Sequence, residues 1–192
     1  MTYILTIILS MAAIVVLNLL FPGARTDLSW FYLTQSTVCF TLGAIVLDGV
    51  SAFIIRRLPA KWFDYKRPFF TVTKKERLFY KAIGVKSWRS HVLELGVFTS
   101  FSKNHFTNPS DPKYTERFLL ESCYGVVIHV IGVLIGFVLP VIYPPLSLRV
   151  AFPVAIVNAV LNLLPIFVLR YNTPKIKSIH ERNLRRYAHQ NN

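Results

Sequence analysis

Acidic side chains are scarce in this chain: nine Asp and Glu stand against 22 Lys and Arg, a net charge of +13. Cysteine is scarcer still. Cys39 and Cys123 both fall inside apolar runs, where a thiol serves as a small packing group before it serves as a disulfide or a nucleophile. Motifs of soluble enzymes are missing: no Gly-rich phosphate loop, no H-E-x-x-H, no paired C-x-x-C and no G-x-S-x-G. There is no internal repeat. The first apolar run lacks both a charged n-region and an A-x-A cleavage site, so it reads as an uncleaved span and not as a signal peptide.

Apolar residues, by contrast, make up 53% of the chain, and they are not spread as in a soluble core. They gather into four runs, each long enough to cross a hydrocarbon layer of about 30 Å at about 1.5 Å per residue. The spans read as residues 3–21, 30–55, 118–140 and 150–169, with a segment 56–117 between the second and third and a tail 170–192. Pro22-Gly23 ends the first run, Arg56-Arg57 stops the second, and a tight Tyr143-Pro144-Pro145 turn joins the last two. Trp30, Phe31 and Tyr32 stand where an interfacial aromatic belt would lie. The expected fold is therefore an all-α integral membrane protein with four transmembrane helices, organised as a single membrane domain.

The excess of Lys and Arg lies in the segment from Arg56 to Arg117 and in the tail from Arg170 onward, while the other two connections hold one Arg each. The positive-inside rule places segment and tail in the cytoplasm, and an even span count puts the N-terminus there too. Basic charge flanking membrane spans fits anionic lipid, or the phosphates of an acyl donor, better than nucleic acid. The segment is too rich in large apolar groups for a solvated linker, with Trp62, Phe63, Tyr65, Phe69, Phe70, Phe79, Tyr80, Trp88, Phe98 and Phe101. Lys75–Ile83 has the spacing of a short amphipathic helix with Leu78, Phe79 and Ala82 to one side and Gly84 as its stop. The expected arrangement is a set of short helices on the membrane face, aromatics dipped in and basic groups at headgroup level, with a loop at 104–113.

An ionisable residue within a span is costly and so marks a candidate site. Counting inward from the cytoplasmic boundary, Glu121 lies about 6 Å deep, Asp48 and Asn162 about 12 Å, and His129 and Asn158 about 18 Å. Span one offers nothing polar to that slab. A cleft opening to the cytoplasm, lined by Asp48, Glu121, His129, Asn158 and Asn162, accounts for the one-sidedness. His129 is the natural acid/base, with Glu121 or Asp48 to orient or charge-balance it and an Asn amide to donate to a developing oxyanion. Glu121 and His129 are offset by about 80° and two turns, so they would bracket one substrate and not touch. The competing reading is that the asparagines and Ser51 only join helices by hydrogen bonds, and that Asp48 snorkels to the double arginine.

Several blocks carry a likeness to a known family. Glu76-x-x-x-Tyr80-x-x-x-Gly84-Val85-Lys86-x-Trp88, Arg57-x-Pro59 with Phe63, the short Phe101-Ser102-Lys103 motif, Glu121-x7-His129 and Asn162-x7-Arg170-Tyr171-Asn172-x-Pro174 together resemble the glycosyl-4,4'-diaponeurosporenoate acyltransferase family. Members commonly carry R-A-E where this chain has Tyr124-Gly125-Val126, and the first span looks like an addition to the shortest members. The resemblance implies a multi-pass enzyme of the bacterial cell membrane. It would esterify a sugar hydroxyl of a glycosylated C30 carotenoid acid with a fatty acyl group, the last step towards staphyloxanthin-type pigments. It implies no metal and no resident cofactor, with acyl-CoA or an acyl-carrier protein as donor. His129 and Glu121 would be catalytic. Asn162, Arg170, Asn172, Asn158, Asp48, Glu76, Trp88 and Lys103 would bind substrates or shape the mouth. The alternatives are a non-catalytic assembly or lipid-binding protein, and another small membrane transferase acting on a glycolipid or polyprenyl acceptor.

Overall fold

The computed structural model describes residues 2–21, 29–92, 108–142 and 144–190, and among these the regular structure is wholly helical. Four helical stretches are long and apolar enough to cross a membrane: Tyr3–Leu20, Trp30–Arg56, Pro112–Ile142 and Pro144–His189. The chain is an all-α membrane protein. Its contacts divide it into two compact units, Met1–Ile55 with Ile128–Leu163, and Arg56–Val127 with Leu164–Asn192.

The first unit contains α1 (Thr2–Leu20) and all but the end of α2 (Trp30–Arg56). On α1, Ile7, Met11, Ile14 and Asn18 recur at three- and four-residue steps and share one face. Ser29 starts α2, its hydroxyl accepting the Tyr32 N–H at 3.2 Å. Leu33, Thr37, Ala44, Ser51 and Ile55 are the buried face of that helix. Ile14, Leu33, Ala44, Leu139, Leu146, Val150 and Val154 form the unit's apolar core, while Ile4, Leu5, Ile8 and Leu9 stay exposed, as lipid-facing residues do. Since lipid tails are as apolar as leucine, packing and polar contacts hold such helices together. One of these contacts is the Asn18 amide, which donates to the Arg149 carbonyl at 2.9 Å. After the short α6 (Leu139–Ile142), Arg149 lies in a π-helical turn, Ser147–Ala151, that opens α7 (Phe152–Gln190).

The second unit holds α3 (Lys74–Ala82), α4 (Val85–Trp88) and short 3-10 turns at Ala60–Trp62, Pro68–Phe70 and Arg89–His91. It also takes residues 112–127 of α5 (Pro112–Ile135) and residues 164–190 of α7. The T-x-x-E sequence Thr73-Lys74-Lys75-Glu76 is a capping box. Thr73 Oγ1 accepts the Glu76 N–H at 3.2 Å, and Glu76 accepts the Thr73 N–H in return. Gly84 turns the chain with φ +67°, a value that suits glycine. The sequence predicts this helix with Leu78, Phe79 and Ala82 to one side; its buried residue is Tyr80, while Leu78 is 65% exposed. Tyr80 wins because its ring meets Phe167 and its hydroxyl reaches Glu76.

The segment's aromatics therefore divide in two. Phe63, Phe70 and Tyr80 are buried, Phe63 stacked on Tyr124 at 3.9 Å, while Trp62, Phe69 and Phe79 remain exposed. Two helix boundaries also move. α5 begins at Pro112, ahead of the predicted 118, because Asp111 caps it by accepting the Lys113 N–H at 2.8 Å and proline suits the first helical position. α7 runs on through the predicted tail to Gln190, burying His180 and Asn183. His180 Nδ1 lies 2.9 Å from the Thr115 hydroxyl, and Asn183 donates to the Pro109 carbonyl at 2.8 Å. Of the predicted loop at 104–113, residues 104–107 lie outside the described residues, as do Phe98 and Phe101, while 108–111 are non-helical and 112–113 open α5.

Candidate active site

The polar residues of the first unit meet in one chain of hydrogen bonds. His129 Nδ1, on α5, lies 2.9 Å from Asn162 Oδ1 on α7. Asn162 Nδ2 donates to Asp48 Oδ2 on α2 at 2.9 Å and to the Asn158 carbonyl at 3.1 Å. Asn158 Nδ2 donates to the Gly132 carbonyl at 3.1 Å and lies 3.5 Å from Asp48 Oδ1, at the limit of a hydrogen bond. Asn158 and Asn162 are buried. The asparagines are one turn apart on one face of α7, as their spacing requires.

Chemistry assigns the proton. An amide oxygen only accepts, so a bond from the ring to Asn162 Oδ1 requires a hydrogen on Nδ1, and the neutral ring then keeps its lone pair on Nε2. A neutral imidazole oriented in this way is able to accept a proton at Nε2. The expected partners of His129 were Glu121 or Asp48. Asn162 makes the bond to the ring, and Asp48 stands behind it. The competing reading pairs Asp48 with the double arginine; its carboxylate instead faces the two amides of α7.

Two glycines make this approach possible. A Cβ on Gly132 would lie 2.5 Å from Asn162 Oδ1, and one on Gly136 would lie 2.9 Å from Asn158 Nδ2. Gly132-x-x-x-Gly136 on one helix thus faces Asn158-x-x-x-Asn162 on the other. Sequence reasoning missed these glycines, although G-x-x-x-G within an apolar run is a known sign of close helix packing. α1 also reaches this neighbourhood. Ser10 and Met11 join Thr41, Ala44, Val157 and Asn158 around a crevice of about 30 Å³, and Tyr3 lies within electrostatic reach of Asp48.

The family blocks of the second unit meet around Arg170. Its guanidinium holds both carboxylate oxygens of Glu76, the Nη2 bond being 2.9 Å, and donates to the carbonyls of Phe69 at 2.8 Å and Thr71 at 3.3 Å. Burial works against the Glu76 carboxylate, but the bonds from Arg170 and Tyr80 outweigh it and hold its pKa below the usual glutamate value. Burial, and then the bond to Glu76, push the Tyr80 hydroxyl far up. Arg89 donates to Asn172 Oδ1 at 2.8 Å, and the Trp88 indole donates to the Ile83 carbonyl at 3.0 Å. Glu121 belongs to this unit as well, accepting from Arg56 at 3.1 Å. Lys103 lies outside the described residues. Among those described, no group of three or more His, Cys, Asp or Glu gathers that could hold a metal.

Four helical stretches long and apolar enough to cross a membrane define a class, the multi-span helical membrane proteins. The family follows from comparison. The model of the CrtO family, glycosyl-4,4'-diaponeurosporenoate acyltransferase, matches residues 59–182, well over half the chain, and the chain belongs to this acyltransferase family. No curated protein and no solved structure matches it.

Proposed function

We propose that this protein transfers a fatty acyl group to a sugar hydroxyl of a glycosylated carotenoid acid, in the bacterial cell membrane, with both termini in the cytoplasm. The observation that carries the reading is the 2.9 Å bond between His129 Nδ1 and Asn162 Oδ1. Nε2 takes the proton of the acceptor hydroxyl as its oxygen attacks the carbonyl carbon of an acyl thioester. The C–S bond then breaks, and the leaving thiolate takes the proton back from His129, so the ring is regenerated and the ester released. A positioned base of this kind supplies about 10²–10⁴ in rate. Placement among apolar helices excludes the water that would otherwise hydrolyse the donor.

Asn162 and Asp48 have their donors and acceptors turned towards one another, which supports a positioning role for both and leaves the contact with substrate to His129. Arg170 spends its bonds on Glu76, Phe69 and Thr71, so it and Asn172 serve to hold the polar segment in its fold. Basic residues of that segment supply charge for the phosphates of a coenzyme A donor or the acidic surface of a carrier protein. Mass spectrometry of lipid and carotenoid extracts from cells with and without the gene tests the reading. Loss of an acylated glycoside on deletion supports it and identifies acceptor and chain together. Identical extracts count against it.

A further inference from the structure

The geometry points to Asp48 as the positioning residue that fixes the proton of His129 through Asn162, an inference that rests on His129 being the base. An amide presents nearly the same shape either way round, so its neighbours must select which end faces the ring. The Asp48 carboxylate makes that selection, because an ionised carboxylate only accepts. With Asn162 Nδ2 held at 2.9 Å from Asp48 Oδ2, the amide oxygen is turned to His129 Nδ1. The second hydrogen of Nδ2 is taken by the Asn158 carbonyl at 3.1 Å, so the amide is held from two sides.

A carboxylate among apolar helices is expensive, and Asp48 faces two side-chain amides of α7, at 2.9 Å and 3.5 Å. Asp48 also precedes residue 59, where the family match begins, so the relay's acidic end comes from a helix outside the matched region. Replacing Asp48 by asparagine offers one acceptor where two amide donors converge. Where that oxygen is taken by the Asn158 amide, the NH2 of the replacement faces Asn162, whose amide turns over and gives up its bond to the Asn158 carbonyl. Its NH2 then faces the ring, and the ring proton moves to Nε2. The base is lost while the side chain's shape is kept.

The test uses the full chain in lipid nanodiscs with ¹⁵N-labelled histidine, the His129 signal identified by its loss in His129→Gln. Wild type is expected as the Nδ1–H tautomer and Asp48→Asn as the Nε2–H tautomer. With substrates present, Asp48→Asn is expected to lose about 100-fold in kcat with KM within about threefold. Adding Asn162→Asp restores an acceptor facing the ring and a donor facing it from position 48. This exchanged pair is expected to recover activity to within about tenfold of wild type. An Nδ1–H tautomer retained in Asp48→Asn overturns the inference, as does a folded exchanged pair no better than the single variant. If Asp48→Asn does not fold, the exchanged pair decides alone by the same two readouts. A wild type that forms no ester from these substrates counts against the proposed reaction, while the tautomer result still decides the role of Asp48.

Discussion

His129 and Asn162 are 33 residues apart in the chain, and the ring's Nδ1 lies 2.9 Å from the amide oxygen, which only accepts. Everything proposed for the first unit depends on that contact. Substituting Asn162 with alanine removes the acceptor and leaves Asp48 without its shorter hydrogen bond. We expect kcat to fall about 10–100-fold, with KM little changed, in steady-state ester formation.

Gly132 permits the contact by having no side chain. Gly132→Ala puts a methyl 2.5 Å from Asn162 Oδ1, so the amide must shift. Overpacking of this kind costs about 1–3 kcal/mol, and we expect both a lower melting temperature in detergent and a loss of activity resembling that of Asn162→Ala. Gly49 is the control. A Cβ there meets nothing within 4 Å, so Gly49→Ala is expected to be neutral or slightly stabilising and fully active.

Arg170 ties the polar segment of the second unit to α7 through Glu76, Phe69 and Thr71. Arg170→Lys keeps the charge but not the paired bonds to one carboxylate. Both side chains are mostly buried, and losing the charged hydrogen bonds is expected to cost about 1.5–3 kcal/mol. Limited proteolysis between residues 60 and 92 should accelerate in this variant.

The same pair predicts acid sensitivity. Glu76 has its pKa lowered in the fold, so its stabilisation is complete above the ordinary value of 4.5 and is lost as pH falls through the folded value. Melting curves taken from about pH 6 down to pH 3 should show this loss in wild type. In Glu76→Gln the dependence should be weaker, and the protein less stable at neutral pH.

Much of this was legible in the sequence, and the reason differs by element. The spans show because lipid demands long apolar runs, and α3 shows because Thr73, Glu76 and Gly84 mark both its ends locally. His129 shows because an imidazole among Val, Ile and Gly is costly without a purpose. Its partner does not show, since the sequence offers Glu121 or Asp48 to orient the ring and the asparagines as oxyanion donors, and only the packing of α2, α5 and α7 brings Asn162 to it. The inward turn of Tyr80 was hidden for the same reason, being decided by Phe167 and Arg170 far along the chain. Gly132 and Gly136 were visible as a spacing, but their function is clear only opposite Asn158 and Asn162.

The most direct measurement is ester formation by membranes carrying wild type or His129→Ala, supplied with a glycosylated carotenoid acid and a fatty acyl thioester. Mass spectrometry should find the acylated glycoside with wild type and at least about 100-fold less with His129→Ala. Full ester formation by His129→Ala would contradict the assignment of this residue as the base.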